Sequence, residues 1–113
     1  MASSTTSLLR PGHASFLTYA NKLERAGYSD ASLDLVYDEI DELLRNNRFT
    51  DIDEILRETP VEDCSTKILL AILTATAPAK TVLAMRSEFF QRVKSILASR
   101  KESEPGLLDG LEQ

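Results

Sequence analysis

The stretch LLRNNRFTDIDEIL, residues 43–56, decides the fold. Its polar centre lies between two apolar segments, and three of its five charged side chains are acidic. Asn46 and Asn47 tolerate the left-handed backbone that ends a helix. Thr50 and Asp53 have the spacing of a capping box, and acids in the first turn of a helix are stabilised by its dipole. The stretch therefore predicts a corner between two helices.

Two helices are predicted upstream of this corner. Residues 29–47 show the strongest apolar pattern of the chain, with side chains recurring at positions i, i+3, i+4 and i+7. Ser29 or Asp30 is expected to cap the start of this helix. A shorter pattern over residues 13–28 predicts a preceding helix that ends at Gly27.

Two further helices are predicted downstream. Residues 61–78 contain the nearly continuous apolar run Ile68–Leu73, which fits either a buried strand or a buried helix. The length of the segment between two prolines and its Leu and Ala content favour a central helix. The last helix is expected within residues 81–101, with Thr81 or Ser87 as its cap; the later start is favoured.

These patterns predict an all-α fold of about five antiparallel helices, arranged as a small bundle or a stack of helical hairpins. The third helix is expected to be short, because Pro60 steers Thr59 away from helical geometry. The predicted organisation is a flexible leader (1–12), a single helical domain (13–101) and a mobile acidic tail (102–113).

The helix pair that flanks the corner resembles the helical hairpins of tetratricopeptide-type repeats over residues 31–60. The aromatic and small-residue signature of that repeat is absent, and no second copy occurs at a 34-residue period. The resemblance therefore implies the shape of a hairpin and assigns no binding residues.

Bulk composition is that of a single globular domain, with 113 residues, 42 % apolar and 27 % charged. No apolar run approaches the ~20 residues that a membrane helix needs, so no membrane association is expected. The first twelve residues lack the apolar segment of a secretory signal; their Ser and Thr content leaves an organelle transit peptide as the alternative. The lone Cys64 indicates a reducing compartment, which we expect to be the cytoplasm.

Charge is strongly segregated along the chain. Residues 24–63 hold 13 acids and 4 bases, whereas residues 64–101 hold 7 bases and one acid. These two segments offer surfaces that could contact a partner of opposite charge. The candidate protein-binding residues are Asp34, Asp38, Asp41 and Glu42 in the second helix and Arg92, Lys94, Arg100 and Lys101 at the basic end of the last one.

Metal and cofactor sites are not indicated. Asp51 and Asp53 are spaced like the opening of a calcium loop, but Leu56 stands where that loop needs glycine. Glu39 and Glu42 share a helical face that we expect to be solvated, and no Glu-x-x-His pair accompanies them.

The predicted function is a non-enzymatic protein-interaction or assembly module that binds a protein partner or associates with itself. One alternative is a nucleic-acid-associated regulator that uses the basic last helix, but the acidic remainder of the chain disfavours it by repelling phosphates. The other is a thiol-dependent enzyme at Cys64, near a helix start that could lower its pKa. His13 is the only histidine available as a base, and it precedes the first helix.

Overall fold

Five α-helices and no β-strand make up residues 15–101, the part of the chain that the structure, a computed structural model, describes. The helices are α1 (Ser15–Arg25), α2 (Ser29–Arg45), α3 (Phe49–Glu58), α4 (Thr66–Thr76) and α5 (Arg86–Ser99), with short 3₁₀ turns at Val61–Asp63 and Ala77–Ala79. The predicted all-α fold is confirmed, and the apolar run Ile68–Leu73 lies in α4, not in a strand. The predicted leader, the predicted tail and His13 lie outside the described residues.

The corners before and after α2 have the same geometry. Gly27 and Asn47 both take positive φ angles, of 96° and 58°. In each corner this residue donates its backbone N–H to the carbonyl three residues earlier, at 3.0 Å. The next residue donates to the carbonyl five residues earlier, at 2.8 Å from Tyr28 and 2.9 Å from Arg48. This is the Schellman motif, so the predicted helix ends at Gly27 and at the asparagine pair are confirmed.

The predicted caps at the helix starts are wrong. α2 and α3 begin at Ser29 and Phe49, one residue before or at the proposed caps, and neither start has a side-chain cap hydrogen bond. Thr50 is therefore already inside α3. The helices start directly from the Schellman corners, and the backbone N–H groups of Ser32 and Ile52 bond to the carbonyls of the corner residues.

The starts of α4 and α5 also differ from expectation. Ser65 caps α4, and its hydroxyl accepts from the Ile68 N–H at 3.2 Å. α5 begins at Arg86, which agrees with the favoured later start, but neither Thr81 nor Ser87 occupies the cap position. The third helix is short as predicted, because Thr59 is extended and Pro60 follows it.

All five helices contribute side chains to the core. α2 packs against α1 on one side and α4 on the other, and α5 contacts both α3 and α4. The fully buried side chains with the largest volume are Phe16, Phe89, Leu17, Ile40, Ile52, Ile55, Leu56, Ile68, Leu69, Ile72, Leu73 and Leu97. Among residues 15–101, no helix is long and apolar enough to cross a membrane.

Helices α3 and α5 run in the same direction along their contact. The carboxylate of Asp53 lies against the residues that precede α5, and the end of α3 lies against Arg92, further along α5. The fold therefore combines contacts between consecutive helices, such as α1 and α2, with one parallel pair, α3 and α5, that is not consecutive.

Candidate interaction surfaces

One side of α2 presents a row of exposed acids. At about 100° per residue, they fall within about a third of the helix circumference. All of them are exposed to solvent, as the sequence analysis expected for four of the five. The set, called the acidic face below, consists of Asp30, Asp34, Asp38, Asp41 and Glu42. Asp30 was considered only as a helix cap, although its spacing from Asp34 already placed it on this face.

The negative charge of the acidic face is only weakly compensated by a basic side chain within α2. Arg45 lies in the same sector, and its Nε is 3.4 Å from a carboxylate oxygen of Asp41. Both side chains are largely exposed, at 70 % and 62 %, so the pair contributes little. The acids at positions 30, 34, 38 and 42 follow one another at i, i+4 spacing, where like charges repel.

Glu39 departs from the expectation that it is solvated like Glu42. It is half-buried at the edge of the acidic face. Burial, followed by the charges of Glu42 and Asp38, raises the pKa of Glu39 above its usual 4.5. The buried side of α2 therefore extends further around the helix than its hydrophobic pattern indicated.

Exposed tyrosines are a second feature of α1, α2 and the corner between them. Tyr19, Tyr28 and Tyr37 are 56 %, 62 % and 38 % exposed. Tyr37 follows the apolar spacing of α2, but it is exposed and lies between the apolar side of this helix and the acidic face. Tyrosine is enriched at protein interfaces, because its ring is apolar and its hydroxyl is polar.

The two arginines of the predicted basic end are engaged within the chain. Arg92 donates to the Leu56 carbonyl at 2.9 Å and to the Thr59 carbonyl, both at the end of α3. Arg100 donates to the Cys64 carbonyl at 2.8 Å and to the carbonyls of the 3₁₀ turn Val61–Asp63. Their hydrogen-bonding groups therefore already serve the fold.

The two lysines of the basic end are exposed. Lys94 lies over the ring of Phe90, with its Nζ 5.8 Å from the ring centroid. Lys101 follows α5 and has a positive φ of 60°. Binding of a partner at these four basic residues stays a prediction, and on this structure the lysines are better exposed for it than the arginines.

Arg86, the first residue of α5, is a buried cation. Its side chain is 5 % exposed, and burial lowers the pKa of the guanidinium. It donates to the Leu73 carbonyl at 2.7 Å and to the Thr76 hydroxyl at 2.8 Å, at the end of α4. Three of the seven basic residues in 64–101 thus donate hydrogen bonds to backbone carbonyls of other elements. They are Arg86, Arg92 and Arg100.

Cys64 lies outside α4, one residue before its cap. The thiol is 1 % exposed, and the Asn21 side-chain amide donates to it at 3.6 Å. Burial raises the pKa of the Cys64 thiol above its usual 9.0. The lowered pKa on which the thiol-enzyme alternative depends is therefore not what this environment produces.

The acids that follow the corner are engaged in contacts within the chain. Asp51 forms an ion pair with Arg48. Asp53 accepts from the backbone N–H groups of Ala84, at 3.3 Å, and Met85, at 2.9 Å. Asp53 therefore caps the start of α5 from another helix, a role that its local sequence does not indicate.

Comparison with protein-family models, with curated proteins and with solved structures finds no match to this chain.

Proposed function

We propose that this chain is a non-enzymatic protein-interaction module, and that the acidic face of α2 binds a basic surface on another protein or on a second copy of the chain. The observation that carries the proposal is the alignment of five exposed acids on one helical face. Such a face attracts a complementary surface and disfavours acidic competitors such as nucleic acids.

The arrangement of the acidic face supports a role outside folding. Like charges at i, i+4 on a helix are destabilising by ~0.2–0.5 kcal/mol per pair. The acids at positions 30, 34, 38 and 42 form consecutive pairs of this kind. These acids destabilise the helix that carries them. Binding of a basic partner, which would neutralise their charge, gives a reason for their presence.

The repeated Schellman corner around α2 supports a hairpin stack of the tetratricopeptide type as the architecture. It assigns no binding residues, and the acidic face is proposed from exposure and charge alone.

The test is affinity capture with charge-matched variants. The immobilised chain is exposed to an extract of its source cells beside the variant Asp34→Asn, Asp38→Asn, Asp41→Asn, Glu42→Gln. The control carries the same change in net charge at four exposed acids elsewhere: Glu58→Gln, Glu62→Gln, Asp63→Asn and Glu88→Gln. Light scattering of the chain alone, at low and high salt, detects a second copy as the partner.

We expect a protein, or an oligomer, that is retained by the wild type and by the control and is lost from the α2 variant. Retention should also weaken with salt, because exposed charges are screened. Equal retention by both variants, or a monomer that captures nothing, would contradict the proposal.

The two alternatives remain separately testable. A nucleic-acid regulator would be retained on DNA or RNA with a steep loss of binding as salt increases. A thiol enzyme would show rapid labelling of Cys64 by a thiol reagent at neutral pH in the folded state.

A further inference from the structure

Helix α5 completes the ends of the elements that it packs against. The last carbonyls of a helix have no partners within that helix. Arg86 supplies donors at the end of α4, and Arg92 does so at the end of α3. Arg100, directly after α5, donates to the carbonyls that connect the 3₁₀ turn Val61–Asp63 to α4.

The dependence also runs in the opposite direction. The start of α5 has no side-chain cap of its own, with Met85 in the cap position. Asp53, in the middle of α3, accepts from the N–H groups of Ala84 and Met85 instead. α3 therefore caps the beginning of α5, and α5 caps the end of α3.

We infer that α5 and the segment from Asp53 to Thr66 form a cooperative clasp, which opens and closes as one unit through these reciprocal caps. α3 has 10 residues and α5 has 14. Isolated helices of such length are marginal in water. Loss of one reciprocal contact therefore weakens both helices, together with the connection between α3 and α4.

The only cysteine of the chain is a native probe of this opening. The Cys64 thiol is buried, and the carbonyl of the same residue accepts from Arg100. The hydrogen bonds of Arg92 go to carbonyls of residues 56, 57 and 59, and those of Asp53 come from residues 84 and 85. Neither set includes Cys64, so an effect on its labelling is indirect and passes either through opening of the clasp or through global unfolding, which the experiment separates.

The experiment compares thiol labelling of Cys64 in native buffer for the wild type, Arg92→Met and Asp53→Ala. Matched controls are Lys94→Met, which removes a charge from the exposed side of α5, and Glu58→Ala, which removes an exposed acid from α3. Hydrogen exchange of α1 and α2 is followed in parallel, as a measure of global unfolding.

Both test variants should label about tenfold faster than the controls, the factor expected when a hydrogen bond to a charged group is lost. Exchange in α1 and α2 should rise by a smaller factor than labelling. Arg92→Lys keeps a donor and Asp53→Asn keeps an acceptor, so Cys64 in these variants should be labelled at intermediate rates. If Arg92→Met or Asp53→Ala does not fold, the corresponding conservative variant takes its place in the comparison. Labelling at the control rate, or acceleration equal to that of exchange in α1 and α2, would overturn the inference.

Discussion

Single residues fix the corners of this molecule through backbone conformation. Gly27 has a φ of 96°, and nothing lies within 4 Å of the position that a Cβ would occupy. A side chain there is disfavoured by backbone strain and not by packing. The glycine and asparagine signals were visible in the sequence, because left-handed conformations are accessible to few residue types.

Gly27→Ala should lower the free energy of unfolding by about 1–2 kcal/mol, the cost of the left-handed conformation for a residue with a Cβ. Gly27→Asn should cost less, because asparagine tolerates that conformation. Urea denaturation of the two variants measures the difference. An alanine variant as stable as the wild type would show that the corner does not depend on this φ angle.

Glu39 should make stability depend on pH. The folded-state pKa of Glu39 is raised, so the folded chain binds the proton more tightly than the unfolded chain. Ionisation of Glu39 therefore lowers the free energy of unfolding as the pH rises from the usual pKa of 4.5 to the raised pKa of the folded chain. The whole of this destabilisation is present at neutral pH. Glu39→Gln should raise stability by up to about 0.5 kcal/mol at pH 7.

The check is urea denaturation of Glu39→Gln and wild type from pH 7 down to pH 4, with the exposed Glu58→Gln as control. The gain should shrink as the pH falls below the raised pKa and should be lost at and below the usual 4.5. A loss of stability at pH 7, or a difference that is constant with pH, would contradict the burial of this carboxyl.

At the scale of elements, apolar periodicity predicted helices that bury one side against a neighbour, as α2 does. It could not distinguish a strand from a helix for α4, whose helical assignment came from its length and its Leu and Ala content. The contacts that complete the start of α5 and the end of α3 could not be predicted, because their partners are not local. Asp53 caps a helix that begins more than thirty residues later, and Arg92 satisfies carbonyls of α3. The same contacts explain why the basic end was assigned to a partner when its arginines serve the fold.

The caps of α4 and α5 give a matched comparison. Ser65→Ala should cost about 1 kcal/mol, because the hydroxyl bonds to the Ile68 N–H. Ser87→Ala should change stability by less than about 0.5 kcal/mol, since this exposed serine lies inside α5 and not at its cap. Thermal denaturation measures both, and equal effects would show that the assignment of the caps is incorrect.

The acidic face should cost α2 stability. Asp38 lies four residues from both Asp34 and Glu42. Asp38→Asn removes two like-charge pairs and should raise the free energy of unfolding by about 0.4–1 kcal/mol at low salt. In about 1 M salt the gain should largely vanish, because the charges are screened. A destabilised Asp38→Asn variant would instead mean that the acidic face supports the fold.

At the scale of the whole molecule, charge segregation has two different origins. The basic segment is partly internal, since Arg86, Arg92 and Arg100 bond to backbone carbonyls of other elements. The acidic face is external. The sequence alone identified both charged segments. It could not show that the basic one is partly engaged within the fold and the acidic one is exposed, because this depends on which side chains meet the ends of distant helices.

The central claim, that the acidic face of α2 binds the partner, is tested most directly by carbodiimide labelling of carboxylates, read by mass spectrometry. The chain is labelled free and in its captured complex, or below and above its association concentration. We predict that labelling falls at Asp34, Asp38, Asp41 and Glu42. It should stay unchanged at the exposed reference acids Glu58, Glu62, Asp63 and Glu88. Unchanged labelling of α2 in a complex that forms would contradict the claim.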